Sequence, residues 1–387
     1  MRRLVDTVSA HLVTPEWAAR VVSPLHDVLT EPERRRILVD NPDSYLHVTS
    51  DPLALQAPSD AVGSAQTRAL HRLLGIGAYQ PVPEPALFVY RISDDRGQHT
   101  GVIASVAAAG FSDGRVLGHE RVQPRRVAGL VRHYEQVPMR SELVALFHPV
   151  DRLVDELTAR VVEDPPILTF TDTGGAAQSV WRVGHEEEVA LVGQLGGQRL
   201  YIADGHHRVA AATECWERQG RPDSGAVLCA VYPQDQVVLH AFHRRVRGPV
   251  AVPALLEGLS TRFDVVPATG PAVGRGEIGL YAGRWLVIRP REPRRLTGVA
   301  GLDVTMLHDE VLRPFLGVDL EDPRLEFVPD LRDLDATARE CDRDAGVLFT
   351  LHPPGIEDLV SVAERHEVMS AKTTFVQPKP HTGIFLS

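Results

Sequence analysis

The chain has 387 residues, 43% of them hydrophobic and 24% charged, with a formal net charge of −10. That length supports two packed cores at the usual ~100–200 residues each. The acidic balance argues against wrapping nucleic acid, where a basic stripe supplies most of the affinity. Cys215, Cys229 and Cys341 form no CxxC pair and no zinc spacing. The N-terminus lacks an apolar signal region, and no stretch approaches the ~18 apolar residues of a membrane span. The expectation is a reduced, cytoplasmic protein with no membrane partner.

In chain order, residues 1–84 read as short helices broken by prolines, with a helix over 64–74. Apolar runs at 86–92 and 101–107 predict paired strands, and Ser112-Asp113-Gly114 a turn before Val116-Leu117. Val127, Leu130, Val131 and Tyr134 share one helical face, so 127–137 reads as a helix. Another is expected over 149–162, capped by Asp151. A hairpin is predicted from 167–170 and 179–183, then a helix over 186–195. A strand at 200–203 feeds Asp204-Gly205 and a helix over 209–216. Strands follow at 226–232 and 237–241. Gly248-Pro249-Val250 marks an expected boundary between domains 1–247 and 248–387. Helices near 253–259, 308–315 and 355–363 and strands near 278–281, 284–288 and 345–350 make the second an α/β set. An extended tail covers 373–386. The strand pairs look antiparallel, so the expected class is α+β.

The chemistry concentrates in Leu200-Tyr201-Ile202-Ala203-Asp204-Gly205-His206-His207-Arg208-Val209-Ala210. A strand ends, one glycine turns the chain, and a helix begins. First-turn amides have no intrahelical partner and sit at the positive end of the macrodipole, which suits an anion. Gly205 permits close backbone approach. Arg208 can fork two phosphate oxygens, with His206 and His207 beside it. Asp204 can cap the helix or hold magnesium beside phosphates. The plainer reading, an ordinary cap with surface histidines, fits poorly with four polar side chains around one glycine between two apolar runs.

A second constellation is Gly118-His119-Glu120-Arg121-Val122-Gln123-Pro124-Arg125-Arg126. A carboxylate at a strand end suits a general base, and Arg125 and Arg126 suit an anionic ligand. Alone, it reads equally well as a surface ion pair. Of 41 basic residues only Lys372 and Lys379 are lysine. Lysine is a mobile point charge that arginine cannot always replace, so both are candidate phosphate ligands, carried by the tail. Other chemistries lack their motifs. Adjacent histidines do not give zinc geometry, position 123 is Gln where a metalloprotease helix needs His, and neither a P-loop nor a GxSxG elbow is present.

Together, Val122-Gln123-Pro124-Arg125 and Asp204-Gly205-His206-His207-Arg208 resemble the ParB/sulfiredoxin-like nucleotide-binding fold, and its free serine kinases more than DNA-partitioning ParB. The whole chain also resembles a large bacterial family labelled domain of unknown function 1015. Asn41-Pro42-Asp43-Ser44-Tyr45-Leu46-His47-Val48-Thr49, Tyr201 to Ala212, and Met369-Ser370-Ala371-Lys372-Thr373-Thr374-Phe375 with Pro378-Lys379 carry that likeness. The resemblance implies a nucleotide-binding core with an N-terminal elaboration, and a C-terminal α/β domain, with the return of its tail to the site left open. It also implies Glu120 as the base. The segment 143–198 is far longer than in the small serine kinases, which opens the identity of the acceptor.

The function expected from the sequence is phosphoryl transfer from ATP, or another nucleoside triphosphate, with magnesium. The acceptor would be a small hydroxyl-bearing molecule such as a serine-like amino acid. Glu120, Asp204 and His206 would act catalytically. Gly205, His206, His207, Arg208, Arg125, Arg126, Lys372 and Lys379 would bind the nucleotide, and Asp204 the metal. A homodimer is left open. The alternative is a nucleotide-binding or hydrolysing switch of ParB type. A DNA-binding regulator rests only on the basic runs His243-Arg244-Arg245-Val246-Arg247 and Arg289 to Arg295.

Overall fold

A computed structural model describes residues 3–26, 29–49, 59–220, 225–292, 296–370 and 372–387, with the backbone alone for 59–64. The chain divides into two compact units, Met1–Gly118, Val122–Val237 and Pro378–Ser387 in one, His119–Arg121 and Val238–Gln377 in the other.

The first unit is built on a nine-stranded sheet. From one edge the order is Val116–Leu117, Leu200–Asp204, Val144–His148, Ala226–Pro233, Gly97–Ala107, Phe88–Asp94, Ala177–Arg182 and Leu168–Thr171. Val5–Asp6 pairs beside Gly97–Ala107. The sheet is mixed rather than antiparallel throughout: Leu200–Asp204 runs parallel to Val116–Leu117, and Ala226–Pro233 parallel to Val144–His148. Long helical connections make this possible, because only a crossover can bring a strand back in the same direction. Helices Pro124–Gln136, Arg152–Val161, His185–Gly196 and His206–Arg218 supply them. Alternate strand residues such as Val89, Val102, Leu146, Ile202 and Val231 pack against Val131, Leu157, Leu191, Leu195 and Val209 of these helices. Each side chain so buried contributes roughly 1.5–3 kcal/mol of apolar transfer.

Val144–His148 was not among the expected strands. All five residues are buried, so it shows no alternation, and it lies in the middle of the sheet. The 143–198 segment is therefore partly core. Residues 1–84 contain more than broken helices: His11–Val13 and Tyr79–Pro81 form a three-stranded sheet with Phe385–Leu386 of the tail. The Phe385 ring lies 5.2 Å from that of Phe88, and the Tyr79 hydroxyl donates to the Gly383 carbonyl at 2.8 Å.

The second unit has a seven-stranded antiparallel sheet. Its order is Phe263–Pro267, Trp285–Pro290, Ile278–Tyr281, Val347–Leu351, Val238–Val246 and Leu325–Pro329, with Thr374–Gln377 also pairing Val238–Val246. A boundary at 247/248 would put Val238–Val246 in the first domain, but all its strand partners lie in the second unit. Gly248-Pro249 ends a strand rather than a domain. The basic run beginning at His243 is also not a surface patch. Arg244 is 0% and Arg245 5% exposed, and Arg245 is paired with Glu326 and Asp344 at 2.9 and 2.6 Å. In the other basic run, residues 293–295 lie outside the described residues. Among the described residues, no helix is long and apolar enough to cross a membrane.

Candidate functional site

The Leu200–Asp204 strand is buried as far as Ala203. Gly205 then turns the chain at φ 109°, ψ 23°, and is the N-cap of His206–Arg218. That left-handed conformation favours glycine, and a Cβ there would also come within 3.1 Å of the Arg208 guanidinium. A glycine cap offers no side-chain acceptor to the first-turn amides. The strand–glycine–helix corner expected from the sequence is therefore present.

Asp204 serves neither as the cap nor as an open carboxylate. One oxygen accepts from Arg208 Nη2 and the other from Lys379 Nζ. Arg208 Nη1 donates to the Leu143 carbonyl. The side chains of Asp204, Arg208 and Lys379 are 17%, 11% and 16% exposed. Burial alone would raise the Asp204 pKa. Lys379 and Arg208, with His206 behind them, outweigh burial and hold it well below the usual carboxylate range. A resident magnesium ion does not fit this arrangement. It would need carboxylate oxygens, and both are taken by cations. Among the described residues, no group of three or more His, Cys, Asp or Glu is arranged to hold a metal.

His206 is buried, and a Cβ on Gly118 would approach its ring at 3.1 Å. His207 Nε2 accepts from the Gln123 amide at 2.9 Å. Gln123 is the N-cap of Pro124–Gln136, whose first position is proline, as suits a helix start. Arg125 is exposed and Arg126 half-buried in its first turn.

In the second unit, Glu120 forms a parallel bridge with Met369, and the Met369 amide donates to the His119 carbonyl at 2.7 Å. Lys372 follows three residues later at φ 57°, with Nζ 5.1 Å from the Phe242 ring centroid. Its carbonyl accepts from Arg244 Nη2 at 3.0 Å. Burial lowers the pKa of Arg244 to about 9. Asp204, Gly205, His206, His207, Arg208 and Lys379 thus come together in the first unit, and Glu120 lies beside Met369 in the second, which also holds Lys372. A small cavity of about 20 Å³ in the second unit, lined by Arg275, Asp303, His352 and Asp358 among others, holds none of the expected residues. The Leu143 carbonyl, which fixes Arg208, had no sequence signal, since every residue carries a carbonyl.

No curated protein matches the chain. Among solved structures, it is similar to a free serine kinase variant in complex with ADP, at 15% identity, covering 68% of this chain and 84% of that chain, with a TM-score of 0.37. It is also similar to SbnI with a C-terminal truncation from Staphylococcus aureus, at 11% identity, 73% and 85% coverage, and a TM-score of 0.42. A conserved hypothetical protein from Pyrococcus furiosus gives 15% identity, 70% and 90% coverage, and a TM-score of 0.35. A family model described as protein of unknown function (DUF1015) matches residues 8–305, well over half of the chain, and the protein belongs to that family.

Proposed function

We propose that this protein binds a nucleoside triphosphate, ATP in the first instance, by its phosphates at the Asp204–Arg208 corner. In this reading it transfers a phosphoryl group to the hydroxyl of a small serine-like metabolite, on a ParB/sulfiredoxin-like core. The observation that supports it is the largely buried, doubly paired Asp204 at a glycine-capped helix start. Such a cluster is weak evidence for stability, because desolvation offsets most of the attraction. Perturbed, converging charges are more often found where an enzyme handles charge.

ATP, when bound, supplies the phosphoryl group. Arg208 and Lys379 exchange Asp204 for phosphate oxygens, and the amides of the first turn of His206–Arg218 add their dipoles. Asp204 keeps the two cations oriented until then. His206 and His207 complete the donor set, and Arg125 and Arg126 are further anion ligands. The role of base falls to Glu120 by the resemblance read from its sequence context. Positioning and charge neutralisation account for most of such catalysis.

The test is incubation of the protein with ATP and a panel of hydroxy amino acids. ATP consumption that depends on the acceptor supports the kinase, and no phosphorylated product across the panel sinks it. Glu120→Gln separates kinase from switch. A kinase loses roughly 10²-fold or more in turnover while keeping nucleotide affinity. A nucleotide switch is left nearly unchanged.

A further inference from the structure

The hairpin of Leu168–Thr171 and Ala177–Arg182 closes around Asp172, whose side chain is 3% exposed. One Asp172 oxygen accepts from the amides of Gly174 and Ala176 at 2.8 and 3.0 Å. The other accepts from Gln178 Nε2 at 2.6 Å and meets His381 Nε2 at 3.0 Å. Burial would raise the Asp172 pKa, but His381, Gln178 and the Ala176 amide bring it to about 2. An ionised carboxylate only accepts, so His381 Nε2 carries the hydrogen. The same residue is held by its backbone: the His381 amide donates to the Tyr90 hydroxyl at 3.4 Å, and that hydroxyl donates to Gln178 Oε1 at 2.5 Å.

His381 lies two residues beyond Lys379, with Pro380 between and Pro378 before. Prolines donate no backbone hydrogen bond and fix φ, so this stretch is stiff and gains no ladder of its own. Past it the tail is secured independently. Thr382 exchanges backbone bonds with Ser23 at 3.0 and 2.9 Å, the Gly383 amide donates to Ser141 Oγ at 2.5 Å, and Phe385 is fully buried. His381 is therefore not needed to dock the tail's end. What it fixes is the short stretch that carries Lys379.

We propose that the Asp172–His381 pair is the anchor that sets Lys379 against Asp204. Asp172 and His381 are then positioning residues of the corner, and the hairpin within 143–198 is a clamp for the C-terminal tail. The consequence for nucleotide affinity rests on the phosphate reading given above, whereas the anchor itself is tested without nucleotide.

Because Lys372 and Lys379 are the only lysines, reductive methylation with formaldehyde, followed by mass spectrometry, reads both at once. Lys372 is exposed and serves as the internal reference. In the native protein Lys379 is expected to react roughly tenfold more slowly than Lys372, as a largely buried ion pair requires. His381→Ala and Asp172→Asn should each raise Lys379 reactivity by roughly threefold or more, with Lys372 unchanged. His381→Ala leaves the hairpin's own Asp172 turn intact, so it remains informative should Asp172→Asn fail to fold. Labelling of Lys379 that matches the native protein in folded His381→Ala overturns the anchor, as does native Lys379 reacting as fast as Lys372. Titration with ADP then reads the consequence. A loss of affinity in His381→Ala that disappears in a Lys379→Met background shows action through Lys379, whereas an undiminished loss in that background refutes it. Absence of ADP binding to the native protein removes the phosphate reading, while the labelling result still decides the anchor.

Discussion

Asp204→Asn removes one charge and almost no volume, so it isolates the electrostatics of the corner. The structure gives Asp204 two cationic partners, Arg208 and Lys379, with all three side chains less than a fifth exposed. Removing one member of a buried pair costs about 3–5 kcal/mol, because the other charge stays buried and unmatched. Residual exposure and the retained asparagine oxygen put the loss near the lower end, about 3 kcal/mol. For a unit of this size that is roughly 6–12 °C in Tm. Phosphate binding should move the other way. Asp204 competes with phosphate for both cations, and even about 1.4 kcal/mol of relief gives tenfold tighter binding. Differential scanning fluorimetry and calorimetric titration with ADP at neutral pH measure both effects. A folded Asp204→Asn protein with unchanged Tm, or with weaker ADP binding, would show that Asp204 does not hold the two cations in competition with phosphate.

Three other expectations follow from particular contacts. Gly205→Ala places a side chain at φ 109° and 3.1 Å from the Arg208 guanidinium; it should cost about 1–2 kcal/mol in urea unfolding and abolish ADP binding. Asp204 and Asp172 have folded pKa values below the unfolded ~3.9, so their stabilisation is full above about pH 5. It is lost as pH falls toward the folded values, about 2 for Asp172. The urea midpoint should drop between pH 5 and 3, and drop less in Asp204→Asn. Asp151 accepts from the Leu153 and Val154 amides at 2.9 and 3.2 Å. Asp151→Ala should therefore lower stability by about 1 kcal/mol, measured the same way, without affecting ADP binding.

The elements legible in the sequence were those whose pattern is local. The Asp151 cap, the hairpin around Thr173-Gly174-Gly175 and the corner at Gly205 each announce themselves within a dozen residues. The middle strand Val144–His148 did not, because a strand buried on both faces loses its alternation. The parallel pairings were equally hidden, since they depend on where helical crossovers return the chain. At the site, residue types were readable but their partners were not. Asp204 had local roles available, as a cap or a metal ligand. Of its two actual partners, Arg208 is only four residues on, but Lys379 is 175 residues away, and the only sequence hint of it was a lysine in a chain otherwise written in arginine. Likewise, the run at His243 looked like a basic surface until the structure showed Arg244 and Arg245 buried in a sheet.

Nucleotide phosphates are proposed to dock where the Leu200–Asp204 strand meets the His206–Arg218 helix. A crystal structure of the protein with a non-hydrolysable ATP analogue decides this. Phosphate oxygens should lie within hydrogen-bond distance, about 2.7–3.2 Å, of the first-turn amides and of the Arg208 and Lys379 side chains. Phosphates bound elsewhere, with Arg208 and Lys379 still clasping Asp204, would contradict it.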